Sequence, residues 1–180
     1  MASSEEKAKE KWMGYLALST AIMAVLAALT TLYMGKFSSR AIMAQGQESN
    51  EWAYYQAKSI KQHAFEMNRK ALELQFHSQK GLPPEVATEY EKTLAKYGDE
   101  MKRYDSEKKE IKDKAEGIAK SKLKAQEMGG NFAYALIFLQ IALMLSSLAS
   151  LTKRHYLWYI ALVCNLGWLF YFLDAWLLFY

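Results

Sequence analysis

Asp174, inside the apolar stretch FLDAWLLF, is the side chain of this sequence with the most chemistry to offer. A carboxylate in a membrane-crossing helix is costly, and by default it marks an ion or proton path. Its place six residues before Tyr180 fits a plainer reading, in which it reaches the outer interface. Gln140 and Asn165 also fall inside apolar runs. Side-chain amides in such places more often join helices than line a path. His63 and Glu66 stand three residues apart, which puts both on one helical face and suits a metal. No second pair completes a ligand set, and His77 lies two heptads from His63, about 21 Å along a helix. The sequence therefore predicts no metal site and no cofactor.

Nucleophilic and nucleotide chemistry have less support still. The chain has no P-loop, no G-x-G-x-x-G, no paired C-x-x-C and no H-E-x-x-H. Its one cysteine, Cys164, lies in an apolar run and can form no intrachain disulfide. No catalytic residue is predicted, and the expectation is that the protein is not an enzyme. Lys112, Lys114, Lys120, Lys122 and Lys124 alternate with Asp113, Glu116 and small residues. That pattern reads as a solvated face, with no groove-reading motif to argue for nucleic acid.

The elements that hold these residues are long helices. Apolar residues make up 52% of the chain, but they are segregated into three runs around one charged block. The only prolines, Pro83 and Pro84, are adjacent, so few helix breakers exist elsewhere. Three transmembrane helices are expected, at 12–35, 131–152 and 156–180. Each reaches the roughly 20 residues that cross about 30 Å of hydrocarbon. The rival is a re-entrant pair for the last two, since only TKRH separates them. The tail, 1–11, carries Lys7, Lys9 and Lys11 ahead of the first run, as a secretory signal does. The run is too long for a signal core and lacks a small-x-small cleavage site, so it reads as an uncleaved anchor. Lys153 and Arg154 lie on the same side as that tail. The positive-inside rule then puts both in the cytoplasm and the middle block outside.

The middle block, 36–130, reads as an antiparallel coiled-coil hairpin with its turn at 81–84, in GLPPE. Small or apolar residues recur at steps of three and four on both sides of the turn. Pairing positions whose numbers sum to 161 sets Tyr90, Tyr97 and Tyr104 against Ala71, Ala64 and Ala57. It also sets Leu94 against Met67 and Met101 against Ile60, so large residues meet small ones. Asn50 fills the one polar slot of the first arm. With Ala57 as heptad position a, a second stripe of Trp52, Tyr55, Phe65, Leu72 and Phe76 points away from that seam. Nothing else in the chain covers it, and exposed apolar stripes mark interfaces. A homo-oligomer is the expected occupant, with an unidentified membrane or periplasmic protein as the alternative partner.

Five stretches, SSRAIMAQ, NEWAYYQAKSIKQH, PPEVATEYEK, YDSEKKEIKDKA and FAYALIFLQIALMLSSLA, carry a resemblance that runs in order along nearly the whole chain. They resemble an uncharacterised bacterial membrane-protein family catalogued only as a domain of unknown function. The resemblance implies three spans with a helical insert, in the bacterial cytoplasmic membrane. It implies no activity and no catalytic residues. The expected function is a non-enzymatic, oligomeric scaffold or docking subunit in the lipid bilayer. The alternative is an oligomeric channel or transporter lined by Gln140, Asn165 or Asp174.

Overall fold

The computed structural model describes residues 4–79 and 81–178, with side chains from Lys11 onward. Lys7 and Lys9 of the expected tail thus lie outside the described side chains. The described residues form three helices and no strand: α1 (Ser4–Ser78), α2 (Pro84–Thr152) and α3 (His155–Leu177). Each contains a segment long and apolar enough to cross a membrane. Helical geometry continues through positions 35–36 and 130–131, where spans and arms were expected to meet.

Local chemistry explains where the helices stop. Gly81 adopts φ 82°, a left-handed conformation that glycine reaches without strain. Pro84 then opens α2, where its missing N–H costs nothing. The Pro83 carbonyl accepts from the N–H groups of Val86 and Ala87, at 3.0 and 3.1 Å. Between α2 and α3 the chain reverses at Lys153, φ 54°, and at extended Arg154.

The chain divides into two compact units, Met1–Ile42 with Lys122–Tyr180, and Met43–Ser121. The first is a three-helix bundle packed in layers. Trp12, Leu16 and Ala149 form one end, with Leu157 and Trp158 against them. Met23, Leu139, Ala142 and Ala161 form the middle. Phe37, Met128, Phe132 and Ala175 form the other end, beside Tyr33 and Phe172. Gly167 lets α3 approach α2 closely, because a methyl group there would lie 2.7 Å from the Phe138 ring. Ala17, Ala21, Ala24 and Ala28, whose small-residue face suits close packing, are exposed. The bundle exterior is apolar too: Leu18, Val25, Leu32, Met144, Val163 and Leu166 are each at least 60% exposed. Such a surface is compatible with a multi-pass membrane protein.

The second unit pairs the last part of α1 with the first part of α2, antiparallel. Its contacts correct the expected seam. Ala57, Ile60, Ala64, Met67 and Ala71 are all exposed. The stripe expected to face outward, Trp52, Tyr55, Phe65, Leu72 and Phe76, is the half-buried one. Tyr90, Leu94, Tyr97, Met101 and Tyr104 of the second arm are half-buried or buried, so that arm presents the expected face. Cross-arm pairs Lys58–Glu107 and Glu51–Lys114 sum to 165, in place of 161.

The reason lies in what each face can contact. Both stripes of the first arm have heptad spacing, offset alternately by one and two residues. The exposed one offers Ala53, Ala57, Ala64 and Ala71, whose methyl groups are worth about 0.8 kcal/mol each when buried, beside the larger Ile60, Met67 and Leu74. The other offers Phe65, Leu72 and Phe76, worth about 1.5–3 kcal/mol each. It also supplies the long stems of Lys58 and Arg69, which cover apolar surface while their charged ends stay paired.

Candidate functional site

Five aromatic residues order the hairpin seam. Phe65 of α1 lies between Tyr97 and Tyr104 of α2, with ring centroids 5.6 and 5.8 Å away. Phe76 meets Tyr90 at 5.4 Å. Leu72 lines a small pocket of about 180 Å³ with Val86, Tyr90 and Thr93. Offset and tilted ring pairs add roughly 0.5–1.5 kcal/mol beyond area burial. Tyr55 lies beneath the ammonium of Lys108, 5.6 Å from its ring centre, and meets Trp52 edge to face at 5.6 Å. Arg69 crosses to Gly98, where an added methyl would touch Nη1 at 3.7 Å.

Polar groups then select one register. Lys58 Nζ is 2.6 Å from Glu107 Oε2, and it also lies over the rings of Tyr54 and Tyr104. Lys114 pairs with Glu51. Gln62 donates to Asp105 Oδ1 at 2.7 Å and to the Met101 carbonyl at 3.3 Å. These contacts were not anticipated from sequence. The available signal was the run Glu51, Tyr55, Lys58, Gln62, Phe65, Arg69, Leu72 and Phe76, itself a strict alternation of four and three.

The Lys58–Glu107 pair gives the hairpin a pH dependence. The hydrogen bond from Lys58 holds the Glu107 carboxyl below its ordinary range. The same bond raises Lys58, with Tyr54 adding to it. A depressed carboxylate favours the fold above its unfolded pKa and loses that contribution as pH falls through the folded value. A raised lysine favours the fold below its unfolded pKa and loses that contribution as pH rises through the folded value. The pair therefore acts between the ordinary carboxylate and lysine ranges. In thermal melts below pH 5, wild type should lose stability more steeply than Lys58→Met. Equal slopes would show that the pair does not act.

The remaining polar candidates separate into surface and bundle groups. His63 Nδ1 lies 3.2 Å from Glu66 Oε2, and Glu66 also takes Lys70 at 2.8 Å. The Lys70 hydrogen bond is the largest cause lowering the Glu66 pKa. This is a helix-surface ion pair, and the described residues contain no group of metal ligands. Gln140 is exposed, Asn165 is half-buried and Asp174 is buried. The Asn165 amide oxygen has no hydrogen-bond partner among the described residues.

Asp174 Oδ2 accepts from Asn131 Nδ2 at 2.7 Å, which ties α3 to α2. Two tryptophans tie α3 to α1. Trp158 Nε1 donates to Ser19 Oγ, and Trp168 Nε1 to Thr30 Oγ1, each at 3.1 Å. Asn131, Ser19, Thr30 and the two indoles escaped the sequence reading, because their partners are more than 40 residues away.

Comparison with known proteins adds a family. The sequence profile described as "Domain of unknown function (DUF4337)" matches residues 12–178. No curated protein and no solved structure matches the chain.

Proposed function

The chain belongs to the DUF4337 family, and from that premise we propose a non-enzymatic, oligomeric integral membrane protein. It acts as a scaffold or docking subunit and presents a coiled-coil hairpin outside the bilayer. The observation that carries this reading is the exposed stripe of the first arm. Ile60, Met67 and Leu74 are 70%, 67% and 72% exposed on a helix whose opposite face is already covered. Contiguous apolar surface of this kind marks an interaction site.

The apolar exterior of the bundle supports placement in a membrane. The family resemblance supports the bacterial cytoplasmic membrane. Lys153 and Arg154, in the short connection between α2 and α3, support a cytoplasmic N-terminus and a periplasmic hairpin. Self-association accounts for the stripe with no further component, and an unidentified membrane or periplasmic protein is the alternative partner. Native mass spectrometry from gentle detergent tests the reading. Expected is a multiple of the 20.7 kDa chain. A monomer at all concentrations would overturn it.

A further inference from the structure

The exposed stripe has a more specific pattern than apolarity. Asn50, Ala53, Ala57, Ile60, Ala64, Met67, Ala71 and Leu74 are all exposed, and their spacing alternates three and four. Such a period keeps one narrow seam facing a partner that is itself a helix. With Ala57 at position a, alanines occupy a at 57, 64 and 71, and large side chains occupy d at 60, 67 and 74. Small a residues let two helix axes approach, and the large d residues fill the layers between.

We infer that this stripe takes the same stripe of a second copy, parallel and in register, with the two Asn50 side chains hydrogen-bonded to each other. The inference rests on the oligomeric reading above and names its interface. Three observations identify the occupant. First, Asn50 is an a position on an otherwise apolar seam. A carboxamide carries both donors and acceptors, so it can satisfy an identical group opposite. A single buried Asn at a is the device that fixes register and partner number in such pairs.

Second, the flanks suit a copy. A parallel pair brings each g residue to the e residue five positions later on its partner. That sets Gln56, His63 and Lys70 against Lys61, Asn68 and Gln75 of the second copy. No like-charged pair arises. Lys70 and His63 are already engaged by Glu66 within the chain, so the flank offers little attraction to an acidic helix. Third, only a parallel, in-register pair sets Asn50 opposite its own copy. An antiparallel pairing would set Asn50 against Leu74 and leave the amide without a partner.

Disulfide trapping in the full-length chain tests this. In a Cys164→Ser background, Ala57→Cys and Ala71→Cys are made singly and oxidised in mild detergent. Each should shift to a covalent dimer on a non-reducing gel. Lys102→Cys, exposed on the second arm, should not. A dimer that forms only when Ala57→Cys and Met67→Cys chains are mixed, positions that face each other when Asn50 faces Leu74, means antiparallel packing and overturns the inference. Dimers from Lys102→Cys at the same yield mean random collision and overturn it also. An oligomeric native mass with no trapping at 57 or 71 sinks this interface and leaves the oligomeric reading standing. A monomeric native mass sinks both.

Discussion

Phe65→Ala loosens the hairpin by about 2–3 kcal/mol, whereas Met67→Ala, two residues on, leaves it within about 0.5 kcal/mol. Phe65 fills the space between Tyr97 and Tyr104, and its loss opens a cavity on both sides. Full burial would put the cost at roughly 3–5 kcal/mol, and half-burial lowers it. Met67 projects away from the second arm and leaves no hole in it. Hydrogen exchange of the amides in 51–76 and 90–111, in detergent dilute enough to give monomers, reads the difference. Protection lost more in Met67→Ala than in Phe65→Ala would restore the seam expected from sequence. The same Met67→Ala chain should lose native oligomer at higher concentration, since its side chain belongs to the stripe assigned to a second copy.

Asn131→Leu is the second large effect, with about 1–2 kcal/mol lost from the bundle. Leaving a buried acceptor without its donor costs roughly 1–3 kcal/mol in water-soluble folds, and inter-helix bonds in membranes average nearer 0.6. Asp174 is 4% exposed, so water does not readily replace the Asn131 donor at 2.7 Å. The double variant Asn131→Leu, Asp174→Leu should recover much of that loss, because removing both polar partners also removes the desolvation cost. Thermal melts of the four chains close the cycle. An additive double variant would mean that the pair is not coupled. The same proteins in liposomes separate helix joining from transport. Expected is no ion or proton flux that depends on Asp174. A flux lost in Asp174→Leu, with the melt unchanged, would move the protein to the channel or transporter reading.

The two predictions differ in how far sequence could have reached them. Asp174 stood out from sequence as an intramembrane carboxylate, yet its partner did not. Asn131 comes just before FAYALIFL and reads there as an ordinary boundary residue. Only the packing of α3 against α2 brings it to Asp174, 43 positions away. The indole bonds of Trp158 and Trp168 to Ser19 and Thr30 have the same origin.

Chain-local physics settled the coarse design. Three apolar runs, a Gly-Leu-Pro-Pro turn and almost no other breakers dictate long helices reversing at 81–84 and again at 153–154. Heptad spacing likewise marked the second arm, where Tyr90, Tyr97 and Tyr104 do face inward. The first arm carries two heptad stripes one to two residues apart, and periodicity does not choose between them, because it counts alanine and phenylalanine equally. Only tertiary contact chose between them. Phe65 and Phe76 meet the rings of Tyr97, Tyr104 and Tyr90, contacts that the alanines, Ile60 and Met67 of the other stripe do not make. Lys58, Glu51 and Gln62 then find Glu107, Lys114 and Asp105 only when that face turns inward. Asn50 through Leu74 is left on the outside as the surface that can meet another helix.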